Sequence, residues 1–292
     1  MDQTPDTAAT LINLQDVTVR LGGRDILHDV NLSFPAGRST VIMGPSGSGK
    51  STLLKTVAGL IPPDSGKVFF RGRDMLQLSE AGMKELRKAS GFIFQDGALW
   101  ENKTLMENLA LPLRVHFPQM RPGEVQRRVV KALEQTGLLE RADQRPAGLS
   151  GGEKKIAAVL RALITEPAIL FMDEPTLSID HTMEGKVAQM ITDVKARGCA
   201  ILAVTHDARL TSTLADRLVI LDAGTVRESG DFDQVKRSRD ERTREILSEL
   251  LGEIASYDTD LLALLDAEDG NGPHQAPEGG QRPRPGTAEG TP

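Results

Sequence analysis

Gly44-Pro-Ser-Gly-Ser-Gly-Lys-Ser51 follows the apolar run Ser39-Thr-Val-Ile-Met43 and precedes a stretch of helical character that begins at Lys50. A strand, a glycine-rich loop and a helix in that order fit the pattern G-x-x-x-x-G-K-[ST]. With no Cβ at Gly44, Gly47 and Gly49, successive backbone N–H groups can curl around an anion. Pro45, Ser46 and Ser48 complete the loop. Lys50 supplies a positive charge for β- and γ-phosphates, and the Ser51 hydroxyl, with Thr52 beside it, is suited to Mg²⁺. The helix aims its positive end at the same anion. With glycine near its usual abundance, a chance match in such a chain has a probability on the order of 1%, so a nucleotide phosphate is the expected ligand.

Outward from this loop the chain reads as an α/β unit. Two β-like runs, Leu11–Arg20 and Ile26–Phe34, flank a Gly22-Gly23 turn. Between about Asp74 and Arg145 helical periodicity dominates, with Val125, Val129, Val130 and Leu133 on one face and the Arg and Lys residues of that segment solvated. Then helix and strand alternate: Gly152–Thr165, Ala168–Met172, Thr182–Arg197 and Ala200–Thr205. Such alternation implies parallel strands joined by right-handed crossovers. The expected organisation is a flexible N-terminus at 1–9 and a core at 10–232 with a helical insertion at about 96–148. A helical extension follows at 233–265, then a disordered Gly- and Pro-rich tail at 266–292. In the extension Ile246, Leu247, Leu250, Leu251 and Ile254 recur at helical spacing. They pack on the core or reach a second subunit.

Composition excludes several functions. The 292 residues are 39% hydrophobic and 26% charged, enough for a sizeable core. Aromatics at 3% argue against a base-stacking platform, and a net charge of -6 offers no basic field for nucleic acid. Cys199 is the only cysteine, so no internal disulfide or Cys-cluster zinc site is expected. Apolar runs fall far short of the roughly 18 residues a membrane span needs, and Met1-Asp-Gln-Thr-Pro-Asp lacks the features of a signal peptide. A soluble, intracellular chain is expected.

Ala168-Ile-Leu-Phe-Met-Asp-Glu174 is an apolar strand ending in two acids, at the rim where ligands bind α/β sheets. Asp173 is the expected Mg²⁺ partner and Glu174 the group that orients or deprotonates the attacking water. Leu149-Ser-Gly-Gly-Glu153 opens the next helix. Ser150 and Glu153 form a capping-box pattern, which leaves the bare backbone of Gly151 and Gly152 free for a phosphate.

Together these residues resemble the ATP-binding subunits of ABC ATPases across roughly Leu11–Asp231. The Walker A loop is Gly44–Ser51, the Q-loop residue Gln95, the signature Leu149–Glu153 and Walker B Ile169–Asp173 with Glu174. The D-loop is Ser178-Ile-Asp180 and the switch histidine His206. The resemblance implies a P-loop ABC cassette: a mainly parallel sheet core, an N-terminal antiparallel β subdomain and a helical insertion. It implies ATP with Mg²⁺ held by Ser51, Gln95 and Asp173, and hydrolysis served by Glu174, His206 and Gln95. It implies a dimer with a second copy, in which Ser150, Gly151, Gly152 and Asp180 complete the partner's ATP site. A multi-span permease is the other implied partner, and the cytoplasmic face of the inner membrane the implied location. Three positions depart from the family pattern: Leu21 where an aromatic often stacks on adenine, Glu153 where Gln is commonest, and Ile156 where a basic residue usually stands.

The stretch Gly91–Arg114 is also similar to the Q-loop region of ATPases that serve MCE-type lipid carriers, the Mla-like group. It raises the expectation of lipid transport with an MCE-domain partner. Importers of small solutes share much of the same pattern and are the alternative, beside a non-transporting regulatory ATPase at the membrane.

Overall fold

The computed structural model describes residues 10–255, with side chains as far as Ser248. The chain divides into two units, Met1–Leu251 and Gly252–Pro292, and the second enters the described residues only as the end of the last helix. The expectations for 1–9 and 256–292 lie outside the described residues.

In chain order the first elements are β1 (Thr10–Leu21), β2 (Arg24–Pro35), β3 (Ser39–Met43), α1 (Lys50–Val57), β4 (Ser65–Phe70), β5 (Arg73–Asp74) and α2 (Glu80–Ala89). Then come β6 (Ser90–Ile93), α3 (Leu105–His116), α4 (Pro122–Thr136), α5 (Gly151–Leu163), β7 (Ile169–Asp173) and α6 (His181–Ala196). The last are β8 (Ala200–Val204), α7 (Ala208–Leu214), β9 (Arg217–Asp222), β10 (Thr225–Asp231), α8 (Phe232–Lys236) and α9 (Glu241–Ala255).

The expected α/β class is the observed one. An antiparallel sheet of order β2-β1-β4-β5 stands beside a six-stranded sheet of order β10-β9-β3-β8-β7-β6, parallel throughout except for β10 on β9. Side chains of a strand alternate between faces, and the central strands are apolar on both. Thus Val41 and Met43 of β3, and Leu170 and Met172 of β7, join the core under the α3–α7 helices. Ile42 of β3, with Ile169 and Phe171 of β7, joins the core shared with α1 and the antiparallel sheet. A near-continuous apolar run is therefore what a doubly covered strand requires.

The insertion expected at about 96–148 contains α3 and α4. Thr104 and Glu107 close a capping box at the start of α3, Pro122 occupies the first turn of α4, and Gly137 at φ 74° ends it. Val125, Val129 and Leu133 of α4 are buried as the periodicity required.

The extension is not one helix. It breaks between α8 and α9, where Asp240 accepts from Arg227 Nε and Nη2, both at 2.9 Å, and from Thr243 N at 2.8 Å. Arg242 reaches Asp222 at 3.0 Å, and Thr243, Ile246 and Leu247 are buried. The first turns of α9 therefore pack on their own cassette. Leu250, Leu251 and Ile254, which the dimer-contact expectation also needs, have no described side chains. Ile246→Ala should lower stability by about 2–5 kcal/mol in urea unfolding, by the same amount at low and high protein concentration. A loss that appears only at high concentration would assign the helix to a contact between subunits instead.

Candidate functional site

The loop after β3 is shaped by one residue that nothing but glycine can occupy. Gly44 has φ 153°, and a Cβ there would lie 2.0 Å from the Leu221 carbonyl oxygen on β9. Gly224 N donates to Ser48 O at 3.0 Å, which fastens the loop to the turn between β9 and β10. Lys50 Nζ folds back to donate to Gly44 O at 2.8 Å and Pro45 O at 2.9 Å. Burial pushes the Lys50 pKa down, with Glu174 and Asp173 opposing.

Three features fit this loop to a phosphate. Helix α1, with Gly49 as its N-cap, has no side-chain cap and no acid in its first turn; α4 and α8 also lack a side-chain cap but carry Glu124 and Asp233 in their first turns, and α2, α3, α5, α6 and α7 are each capped by a side chain. The Ser48 hydroxyl is buried and has no partner. Lys50 is buried, and its ammonium is held on carbonyls of the same loop. Uncapped N–H groups, an orphan hydroxyl and a cation on one loop suit it to an anion.

The next shell comes from β7 and β8. Ser51 Oγ donates to Asp173 Oδ1 at 2.8 Å. A hydroxyl and a carboxylate are the hard oxygen donors Mg²⁺ prefers, so these residues fit that ion. Among the described residues no cluster of three or more His, Cys, Asp or Glu could hold a metal alone. Phosphate oxygens and water would therefore complete the shell.

Glu174, just beyond β7, is buried and sits at φ 48°. Its N–H donates to Val204 O on β8 at 2.9 Å. Its Oε2 accepts from His206 N at 3.3 Å, and its Oε1 lies 3.3 Å from His206 Nε2. Burial pushes the Glu174 carboxyl up to about 7; the His206 N–H works against that shift, and the Asp173 charge adds to it. A carboxyl poised near neutrality can exchange a proton with water at working pH.

Of the residues singled out in the sequence, Ser46, Gly47, Gly49, Lys50, Ser51, Thr52, Gln95, Glu174 and His206 line one cleft of about 450 Å³. Gly44, Pro45 and Ser48 belong to the same loop but do not line the cleft. Asp173 faces an adjoining hollow of about 610 Å³ that shares Ser51 and Gln95. Ser150, Gly151, Gly152 and Asp180 line neither. The capping box forms, with Glu153 N to Ser150 Oγ at 3.2 Å and Ser150 N to Glu153 Oε2 at 2.8 Å. Glu153 also meets Arg141 at 3.2 Å, so the departure from Gln gains an ion pair. Asp180 caps α6 through Met183 N at 3.1 Å, and Gly152 packs against Met183. The signature and D-loop thus share a surface of their own.

Sequence reasoning missed three contributors. Ile26, not Leu21, reaches the cleft, and Leu177 forms part of its wall. Lys155 is buried and donates to backbone oxygens beside the site. The available signal for Lys155 was a cation heading the otherwise apolar run Ile156-Ala-Ala-Val-Leu160.

A family profile described as ABC transporter matches residues 27–177. The methionine import ATP-binding protein of Brucella abortus (strain 2308) is 36% identical over 231 residues, 79% of this chain and 62% of that protein. Its namesake in Caulobacter vibrioides is 38% identical over 229 residues, 77% of this chain and 68% of the relative. The chain thus spans 62% of the length of the Brucella relative. Among solved structures, a dimeric ATP-binding cassette in a post-hydrolysis state with ADP and Pi matches at TM-score 0.70 and 31% identity, covering 76% of this chain and 98% of that one. An ATP binding subunit of an ABC transporter matches at TM-score 0.71 and 28% identity, covering 84% and 100%.

Two glycine variants test the loop. Gly47 also has positive φ, at 77°, but open space around it. Gly47→Ala should cost only about 1–2 kcal/mol of backbone strain. Gly44→Ala must displace β9 or the loop, and should cost more in urea unfolding and abolish binding in a fluorescent-nucleotide titration. Equal behaviour of the two variants would contradict the close approach to Leu221.

Proposed function

The chain belongs to the ABC transporter family, and on that premise we propose that it is the ATP-hydrolysing subunit of a transporter, energising a separate membrane permease. The observation that carries this reading is the group formed by Ser51, Asp173, Glu174 and His206 beside an uncapped helix N-terminus. On ATP binding Lys50 exchanges the Gly44 and Pro45 carbonyls for β- and γ-phosphate oxygens. Ser51, Asp173 and Gln95 would hold Mg²⁺, which when bound neutralises charge on those oxygens. Glu174 accepts the proton of the attacking water, and His206 holds the carboxylate through its backbone N–H and ring.

The signature lies outside the cleft, and Gly151 is exposed with open space around it. We therefore assign Ser150-Gly151-Gly152 and Asp180 to the ATP site of a second copy. A comparable cassette forms a dimer with ADP and Pi, which supports this reading. The permease would dock on an apolar hollow of about 400 Å³ beside the Q-loop, where Trp100 and Val115 are 54% and 62% exposed. No helix among the described residues is long and apolar enough to cross a membrane. Attachment at the cytoplasmic face of the inner membrane would run through that permease.

For cargo, the relatives named for methionine import favour a small solute, the alternative raised above, over an envelope lipid. The lipid reading, with its MCE-domain partner, rests on the Gly91–Arg114 stretch alone. Affinity purification of the tagged chain from detergent-solubilised native membranes, read by mass spectrometry, separates them. A permease with a solute-binding protein is the expected result; a permease with an MCE-domain protein would restore the lipid assignment, and no membrane partner would remove transport altogether.

Glu174→Gln should lower ATP turnover by about 10²–10⁴-fold while retaining ATP binding. Near-normal turnover would overturn the base assignment. Lys50→Ala should instead weaken nucleotide binding, measured by titration.

A further inference from the structure

Helix α5 begins at the signature and runs past the catalytic cleft with its buried face carrying one charge. Lys155, five residues after Ser150, is only 5% exposed. A buried ammonium needs acceptors, and Lys155 Nζ has two: Gln95 O at 2.9 Å and Glu174 O at 2.9 Å. Both carbonyls stand just outside regular structure. Gln95 lies beyond the end of β6, and Glu174 follows β7 at φ 48°, a conformation that residues with side chains rarely adopt without support. Two turns along α5, Arg161 donates from Nη2 to Gly97 O at 2.9 Å and from Nη1 to Ala98 O at 2.5 Å. The Q-loop backbone from 95 to 98 is thus held on α5 by two cations, and of these Lys155 alone reaches Glu174.

We propose that Lys155 is a positioning residue for hydrolysis, its ammonium tying the backbone of Glu174 to that of Gln95. It makes the helix that carries Ser150-Gly151-Gly152 part of the frame that aims the Glu174 carboxylate. A signature seated on the partner's nucleotide would then bear, through five residues of one helix, on the chain's own hydrolytic group. The proposal rests on Glu174 being the hydrolytic carboxylate. Burial pushes the Lys155 pKa down, and the charges of Glu174, Asp96 and Asp173 oppose that shift.

The test compares steady-state kcat and KM for Mg·ATP, with equilibrium ATP affinity, in the full chain and four variants. Lys155→Met should lower kcat by about fivefold or more with KM and ATP affinity within about threefold of wild type, and Lys155→Arg should recover most of the loss. Lys154→Met, the same charge removed one residue earlier, should match wild type. A smaller fall in kcat, a loss confined to KM or ATP affinity, or a Lys155→Arg as slow as Lys155→Met would overturn the proposal. Should Lys155→Met fail to fold, Lys155→Gln is read by the same criteria. Glu174→Gln run in parallel separates the two claims. Turnover kept there overturns the reading of Glu174, whereas turnover lost there but kept in Lys155→Met overturns only the role of Lys155.

Discussion

The hydrogen bond from Ser51 to Asp173, 2.8 Å long and spanning 122 residues of sequence, depends on a constraint that orders the whole site. Parallel strands that share a sheet end at one rim. In the order β3-β8-β7-β6, β3 delivers the glycine loop and Lys50, β8 delivers His206, β7 delivers Asp173 and Glu174, and β6 leads to Gln95. Four distant pieces of sequence meet because their strands are neighbours, and the neighbours are held by apolar side chains on both faces of the sheet.

That frame lets charge be buried. Asp173 and Glu174 are adjacent in sequence and both out of water, as are Lys50 and Lys155. Unpaired, each would be strongly destabilising. Here each ammonium donates to two backbone carbonyls, Asp173 accepts from Ser51, and Glu174 accepts from His206. Burial pushes the Glu174 carboxyl up to about 7, and the His206 N–H, at 3.3 Å, works against that shift.

Much of this was legible in the sequence. The phosphate loop, the acid pair and His206 all sit where short motifs meet the ends of apolar runs, so periodicity and motif point to the same place. The capping reading of Ser150 is borne out, since its hydroxyl caps α5; Gly151 has open space around it, while Gly152 packs against Met183. Other features were not legible. The break at Arg237–Asp240 is set by Arg227, on a different element. Ile26 reaches the cleft because of how β2 pairs with β1, which one strand's pattern does not reveal. Lys155 was hidden because its acceptors are backbone atoms, and backbone leaves no residue-type signal.

We propose that each chain holds half of an ATP site and borrows the signature of a second copy for the other half. It is tested most directly by measuring phosphate release per chain from Mg·ATP across a wide range of protein concentration, with mass followed by light scattering. The expected per-chain rate rises with concentration and levels off as dimer forms. A per-chain rate that stays constant while the protein is monomeric throughout would contradict it.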